Sequence, residues 1–211
     1  MKVTRISEIE PVPIVGAPVQ WRPVRRALGI EAFGVNAYTA DAGQEVVGDH
    51  DETGSGAPQH EELYVVVSGR ATFTVGGREV NAPAGTLVFL EDPAERRCAR
   101  AAEDGTTVLA IGAARDEPFD VSPWEYYMYG LGMLERGDPD QARRVVAEAV
   151  ERYPDNPDVL YDAARVLVRT GDVKRALHHL RQSVEADPSF AEYVRKDPDL
   201  DSIRSDPGFP A

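Results

Sequence analysis

The sequence predicts an α+β chain of two domains, in which an antiparallel β-barrel is followed by an all-α array of helix-turn-helix units. Residues 60–92 contain short apolar runs broken by glycine and proline, a pattern typical of antiparallel strands. Residues 122–190 instead contain positions that recur every 34 residues, a period typical of stacked helix pairs. The polar segment 113–121 separates the two patterns. The predicted domains are a barrel at 1–115, a linker at 116–121, two helical repeats at 122–190 and a C-terminal capping segment at 191–211.

The first strand of the central β stretch covers residues 60–67. Successive side chains of a strand point to opposite faces, so His60, Glu62 and Tyr64 share one face. Both faces are apolar from residue 63 onward, and the strand is therefore expected to be covered on both sides. Glycines at 76–77 form a two-residue hairpin signal. Further strands are expected at 30–40, 46–47, 71–75, around 79–80, and at 86–90, 96–100 and 106–112.

The N-terminal residues 1–30 are expected to form an extended lead-in. Pro11, Pro13, Pro18 and Pro23 are distributed along this segment. Proline removes a backbone donor and restricts the residue before it, which disfavours a helix. The apolar residues between the prolines are expected to pack along the edge of the barrel.

Two motifs in the β stretch resemble those of the cupin family, small antiparallel barrels of the jelly-roll type. In that family the first motif ends in Glu, six residues and Gly, which Glu62 and Gly69 match. The second motif is Gly, five residues, Pro, one residue and Gly, which Gly77, Pro83 and Gly85 match. The resemblance covers about half of the chain and implies a jelly-roll barrel with a ligand site at its mouth.

The helical region is defined by the 34-residue repeat. Small residues at recurring positions allow paired helices to approach closely, and glycines allow a left-handed helix end. This pattern resembles the tetratricopeptide repeat family, which implies a surface that docks another protein. The repeated pairs are Gly137 and Gly171, Asp138 and Asp172, Ala142 and Ala176, Val146 and Leu180, and Pro154 and Pro188.

Four full helices follow from these repeats, and the tail adds a partial fifth. Two repeats are fewer than the usual minimum of about three for an independent solenoid. The helices are therefore expected to lean on the barrel, on a second copy of the chain or on a partner protein, and a homodimer is expected. The predicted helices cover 123–136, 139–153, 157–170, 173–187 and 191–196.

Charge and composition exclude several classes of partner and compartment. The formal net charge is −13 and the pI is about 4.7, which argues against binding to nucleic acid or to anionic membranes. The lone Cys98 cannot form an intrachain disulfide, which fits a reducing compartment. No apolar stretch approaches the length of a membrane span, and the N-terminus lacks the apolar run of a signal peptide. A cytoplasmic location is therefore expected.

The cupin resemblance also implies a metal site built from His-x-His, a Glu and a further His of the second motif. The last position is Val88 here, so that imidazole is absent. If the loop before residue 60 is longer than usual, His50 and Glu52 take the place of His-x-His. The candidate metal ligands are His50, His60 and Glu62, and the candidate ligand pocket adds Glu52 and Tyr64 to these three.

Two interpretations of this site remain open. In one, the His and Glu side chains hold a divalent zinc, iron, manganese or nickel ion, and the chain is a metal-dependent enzyme of the dioxygenase or isomerase kind. In the other, the metal has been lost and the pocket binds a small organic molecule. The sequence shows no nucleophile–base pair and no phosphate loop, so no catalytic residue is assigned. We favour a non-catalytic ligand-binding or scaffold protein whose repeat helices bind a protein partner.

Overall fold

The computed structural model describes residues 1–57, 59–115 and 118–210. The chain divides into two compact units, Met1–Val121 and the residues from Ser122 onward. All strands of the described residues lie in the first unit, and the long helices lie in the second. Two positions of the predicted linker, 116 and 117, lie outside the described residues.

The N-terminal unit is built from antiparallel strands arranged in two sheets. One sheet has the strand order β1-β2-β3-β10-β5-β8, and the other has the order β4-β9-β6-β7. The strands are β1 (Val12–Pro13), β2 (Gln20–Arg22), β3 (Gly34–Ala40), β4 (Glu45–His50), β5 (His60–Ser68), β6 (Arg70–Val75), β7 (Arg78–Pro83), β8 (Leu87–Leu90), β9 (Arg97–Ala101) and β10 (Thr106–Ala114).

The strand order is that of a jelly roll. From β3 onward the chain passes repeatedly between the sheets, and the sets β3-β10-β5-β8 and β4-β9-β6-β7 are the two four-stranded layers of that fold. Within the described residues, hydrogen bonds do not join the two sheets into one closed cylinder. The jelly roll predicted from the sequence is therefore confirmed, in the form of two sheets whose ladders are not joined.

The core of this unit lies between the inner faces of the sheets. Tyr64 and Val66 of β5 are buried against Phe73 of the opposite sheet, as the alternation of residues 60–67 predicts. The outer face of β5 and its neighbour β8 is less covered than the sequence suggested, since Leu87 and Phe89 are 64% and 57% exposed. The apolar sequence of β5 therefore led to a prediction of more burial on its outer face than the structure has.

The N-terminal segment departs from the expected extended lead-in. Strands β1 and β2 are extended, but Val24–Leu28 forms the short helix α1. Pro23 directly precedes this helix, where its missing donor is not needed, and Gly29 ends it in the left-handed conformation. Proline is compatible with the start of a helix, and the prediction of an extended segment did not take this into account.

The second unit consists of helices whose bounds agree with the predicted repeats to within one residue for the four full helices. Asp138, Asn156 and Asp172 each accept a hydrogen bond from a backbone N–H at the start of a helix. Among the described residues, no helix is both long and apolar enough to cross a membrane. The helices are α2 (Pro123–Glu135), α3 (Pro139–Arg152), α4 (Pro157–Arg169), α5 (Val173–Ala186) and α6 (Phe190–Lys196), followed by a 3₁₀ turn at Pro198–Ile203.

Candidate functional site

Five polar side chains meet at one end of the double sheet, and we call them the mouth cluster: His50, Glu52, Glu62, Tyr64 and Arg97. His50 is the last residue of β4, and Glu52 follows in the next loop. Glu62 and Tyr64 lie on the inward face of β5. Arg97 begins β9 and is the register partner of His50 across the β4–β9 ladder. Three strands and one loop therefore position the cluster.

The centre of the mouth cluster is an ion pair between Arg97 and Glu62. Arg97 Nη2 and Nε donate to the same Glu62 oxygen, Oε2, at 2.7 and 3.1 Å. The arginine side chain is 0% exposed. Its Nη1 atom donates to the carbonyls of Pro93 and Glu95 at 3.1 and 2.9 Å. The guanidinium is therefore fixed from two sides, because leaving its place would break hydrogen bonds to both the carboxylate and the backbone.

Tyr64 adds a further donor to the same carboxylate. Its hydroxyl donates a short hydrogen bond to Glu62 Oε2 and lies 3.4 Å from His50 Nε2. Its ring packs against Phe73 with centroids 5.5 Å apart. Burial and the neighbouring Glu62 charge raise the pKa of Tyr64 well above its ordinary value. The phenol therefore stays protonated and acts as a donor to Glu62.

His50 connects the cluster to solvent. Its Nδ1 atom lies 2.8 Å from the carbonyl oxygen of Gly48, which can only accept, so Nδ1 carries the hydrogen. Its Nε2 atom lies 3.6 Å from an oxygen of Glu52 and 3.6 Å from Oε2 of Glu62. The imidazole side chain is 36% exposed, whereas the carboxylates behind it are nearly covered. His50 is therefore more open to solvent than the Glu52, Glu62 and Arg97 side chains of the cluster.

Glu52 is a buried carboxylate with an unused oxygen. The residue is 4% exposed, and its Oε2 atom has no hydrogen-bond partner among the described residues. Its backbone is held firmly, since its N–H donates to the Pro93 carbonyl at 2.9 Å and its carbonyl accepts from Gln59 at 3.1 Å. A buried polar atom without a partner marks a place for water, a ligand or an ion.

The charges of the cluster shift one another's pKa. Burial, followed by repulsion from Glu62, raises the pKa of Glu52 to about 7. Burial lowers the pKa of His50, but the nearby Glu62 carboxylate and the hydrogen bond to the Gly48 carbonyl outweigh it, and the net shift is upward. Burial raises the pKa of Glu62, but the nearby His50 imidazole, the hydrogen bond from Tyr64 and the Arg97 charge lower it overall. Glu62 is therefore the stable anion of the cluster.

His60 lies on the same strand face but does not join the closest group of donors. Its ring packs against Phe119 with centroids 5.5 Å apart, and its Nε2 atom is buried without a partner among the described residues. Burial lowers the pKa of His60, so the imidazole is neutral. Val88, at the position where the family resemblance implies a histidine, lies opposite Tyr64 in the β5–β8 ladder and packs on the core.

Three members of the mouth cluster could hold a metal ion. One donor atom from each of His50, Glu52 and Glu62 lies within 4.8 Å of the others. An imidazole with two carboxylates is a donor set that suits zinc, iron or manganese, and the unused Glu52 oxygen is available to an ion. Of the three ligands expected from the sequence, the structure groups His50 and Glu62 and supplies Glu52 in the place of His60.

Sequence reasoning did not identify Arg97. An arginine in an acidic protein is usually a surface residue, and Arg96 and Arg100 in the same segment are exposed. The signal was the alternation of β9, which places Arg97 on the same face as the buried Ala99 and Ala101. A charged residue on the inward face of a strand indicates a buried partner.

The helical unit has its own buried charge cluster around Arg165 of α4. The guanidinium lies 2.9 Å from Asp197 and from Asp199, and 3.6 Å from Asp162. The Cζ atom of Arg165 lies 4.9 Å from the ring centroid of Tyr127. Burial raises the pKa of Asp162 well above its ordinary value. The cluster ties α2, α4 and the segment after α6 together.

A cavity of about 500 Å³ opens beside this cluster. Tyr161, Arg165 and Tyr193 of α6 are among the residues that line it. Tyr193 is 61% exposed, and Tyr161 donates to Asp197 at 2.6 Å. Aromatic rings beside fixed charges are features of surfaces that bind other proteins.

Comparison with known proteins supports a composite chain. Residues 133–196 match the tetratricopeptide repeat family. No curated protein matches the chain. The N-terminal part is similar to solved cupin structures, which include a predicted enzyme and proteins without a stated activity.

Three of these solved structures illustrate the likeness. A cupin protein from Bacteroides fragilis is 20% identical over 55% of this chain and 92% of its own, with a TM-score of 0.39. A predicted oxalate decarboxylase from Thermotoga maritima is 23% identical over 53% of this chain and 97% of its own, with a TM-score of 0.42. An RmlC-like cupin from Desulfovibrio desulfuricans is 23% identical over 54% of this chain and 96% of its own, with a TM-score of 0.40. The strand order and motif spacing give this chain a cupin-like fold, and the repeat match gives it tetratricopeptide helices.

Proposed function

We propose that this chain is a non-catalytic binding protein, in which the cupin-like unit holds a small ligand and the repeat helices hold a protein partner. The observation that supports it best is the mouth cluster, where Arg97 and Tyr64 hold Glu62 while Glu52 keeps an unpaired buried oxygen. A polar cluster with fixed charges and an unused acceptor is suited to recognition of a polar molecule. The partly exposed imidazole of His50 joins this cluster to solvent.

The fixed-charge role of Glu62 in this proposal is supported by how the carboxylate is restrained. A catalytic carboxylate acting as base needs a pKa near the working pH and access to the reacting proton. Glu62 has a lowered pKa, and its Oε2 atom accepts from Arg97 and Tyr64. Such a carboxylate serves best as a fixed charge that organises its neighbours.

The helical unit supplies the scaffold half of the proposal. Its repeats leave a cavity beside Tyr161, Arg165 and Tyr193, with an exposed aromatic ring at the rim. Tetratricopeptide repeats are docking modules, since their stacked helices form an extended binding surface. We expect a protein partner there. The homodimer and the cytoplasmic location expected from the sequence remain predictions, the second supported by the single Cys98.

A metal-dependent enzyme, of the dioxygenase or isomerase kind, is the second candidate. It is favoured by one observation, the convergence of donor atoms from His50, Glu52 and Glu62 within 4.8 Å. These three residues would hold the ion. When bound, a divalent metal would supply Lewis-acid or oxygen chemistry at the mouth of the double sheet. Tyr64 would then orient Glu62 through its hydroxyl.

Elemental analysis separates the two candidates. The full chain, purified without a metal-binding tag, is measured beside a variant that combines His50→Ala with Glu52→Ala. Metal at background in both proteins is the result that the binding function predicts. About one metal per chain in the parent, lost in the variant, would contradict the metal-free binding function and favour the metal-dependent enzyme. A matched Glu61→Ala variant, altered on the opposite face of β5, controls for loss of surface charge.

A further inference from the structure

Glu62, a carboxylate that would be needed to bind a metal, is already paired with the Arg97 guanidinium. Glu62 Oε2 accepts two hydrogen bonds from Arg97, at 2.7 and 3.1 Å, and one from Tyr64. His50 Nε2 lies 3.6 Å from the same atom. An oxygen has few acceptor directions, so this one has little capacity left for coordination. The charge of Glu62 is already balanced.

The guanidinium cannot move aside at low cost. Arg97 is the register partner of His50, so the β4–β9 ladder fixes its backbone within the cluster. Its Nη1 atom is bonded to the carbonyls of Pro93 and Glu95, and its side chain is 0% exposed. Rotation away from Glu62 would break these bonds and find no solvent to replace them.

A divalent ion among the donor atoms would therefore sit beside a fixed positive charge. Like charges repel more strongly in a poorly solvated interior than in water, because the effective dielectric constant is lower. Val88, opposite Tyr64 on β8, has no ligand atom, so this position adds no donor that could strengthen coordination. His50 and Glu52 would have to hold the ion together with Glu62, whose negative charge is already compensated by Arg97.

We propose that Arg97 is the residue that determines the specificity of this pocket, because its guanidinium takes the electrostatic role of a metal at Glu62 and excludes divalent cations. The ligand of the cupin-like unit is accordingly bound without a metal. This inference rests on the proposed binding function, which it deepens by naming the side chain that decides between the two kinds of site.

Zinc titration of Arg97 variants tests the proposal. Chelator-treated parent, Arg97→Met, Arg97→Lys and Arg100→Met are compared for zinc stoichiometry by elemental analysis and for the thermal midpoint with and without zinc. Arg100 lies on the same strand, is exposed, and pairs with Glu45, so its variant is the matched control. Arg97→Lys keeps the positive charge. A double variant, Arg97→Met with His50→Ala, assigns any zinc to the mouth cluster and not to His178 and His179.

Only Arg97→Met is expected to bind zinc at the mouth. We expect about one zinc per chain in this variant, affinity at least tenfold above the parent, and a zinc-dependent rise in its thermal midpoint, because the ion replaces the lost partner of Glu62. The double variant should lose all three effects. If the parent itself binds one zinc per chain through His50, both this inference and the metal-free binding function are overturned. If neither parent nor Arg97→Met binds zinc, or if Arg97→Met does not fold even with zinc, the role of Arg97 is overturned while the binding function stands.

Discussion

The guanidinium of Arg97 and the carboxylate of Glu62 are joined through a single oxygen, Glu62 Oε2, at 2.7 and 3.1 Å. The arginine is fully covered and the carboxylate is nearly so. The pair links β9 of one sheet to β5 of the other. It is therefore both the centre of the candidate site and a contact between the two layers of the jelly roll.

Removing the arginine is expected to destabilise the N-terminal unit strongly. Arg97→Met leaves Glu62 buried without its cation, and breaking one partner of a buried pair costs about 3–5 kcal/mol. Urea unfolding of the full chain measures the loss. The double variant that adds Glu62→Gln should recover part of it, because the unpaired charge is then removed. Equal losses in the single and double variants would mean that the charge pair is not the cause.

The pH dependence of stability is expected to report Glu52. Its pKa is about 7 in the folded chain and about 4.5 without burial, so between these values the folded state binds more protons than the unfolded state. The free energy of unfolding should therefore fall as pH rises from 4.5 to 7. Each pH unit contributes about 1.4 kcal/mol at most, or about 3 kcal/mol in total.

Glu52→Gln is the variant that isolates this effect. The amide keeps the shape of the side chain and cannot ionise, so the variant should be more stable than the parent at pH 8 and similar to it at pH 4. Both proteins are treated with chelator and unfolded in urea across this range. Because the pKa of His50 is also raised, its loss of a proton further lowers the free energy of unfolding as pH rises. The variant keeps only part of this contribution, because His50 and Glu52 interact. Parallel pH profiles for parent and variant would contradict the assignment to Glu52.

Two motif glycines are expected to differ in their tolerance of alanine. Gly69 and Gly85 both have positive φ, at +70° and +89°. A Cβ at Gly69 would lie 2.5 Å from Thr106 Oγ1 and 2.9 Å from its Cα, whereas a Cβ at Gly85 would meet nothing within 4 Å. Both substitutions carry the left-handed penalty of about 1–2 kcal/mol, and Gly69→Ala should cost clearly more. Thermal unfolding of both variants checks the order, and a larger loss at Gly85 would refute the steric argument.

Arg165 is expected to be the most sensitive charged residue of the helical unit. It pairs with Asp197 and Asp199 at 2.9 Å and is mostly buried, so Arg165→Met leaves carboxylates without their cation. We expect a loss of about 3 kcal/mol or more. Arg169, one turn further along α4, pairs only at the surface with Glu135 and should cost less than about 1 kcal/mol when changed to Met. Helical circular dichroism during denaturation measures both, and similar losses would show that burial does not set the difference.

The sequence predicted most of the fold because its periodic signals are strong. The 34-residue repeat sets the bounds of the long helices, and alternation in 60–67 identifies the inward face of Tyr64 and Val66. The two-sheet form agrees with the jelly roll that the motif resemblance implied, whereas alternation alone describes the faces of a strand but not how its sheet ends. Helix α1 was missed because proline was weighed as a helix breaker rather than as a helix start.

The candidate site was predictable only in part, for two physical reasons. The loop after His50 decides whether Glu52 or His60 approaches Glu62, and loop conformation cannot be read from spacing alone. The partner of Glu62 comes from β9, 35 residues further along the chain, and only the sheet pairing brings Arg97 to it. Short-range motifs therefore predicted the carboxylates Glu52 and Glu62 but not the arginine, Arg97, that pairs with Glu62.

The backbone bonds of Glu52 have an evolutionary consequence. Its N–H is tied to Pro93 and its carbonyl is tied to Gln59, so the peptide units on both sides of this residue are anchored to neighbouring segments. The stretch that follows Glu52, residues 53–57, can therefore be lengthened, shortened or rewritten with little change in the position of Glu52. Divergent copies of such a gene could acquire new ligand preferences by altering this stretch alone, while the charged floor of the pocket is inherited unchanged.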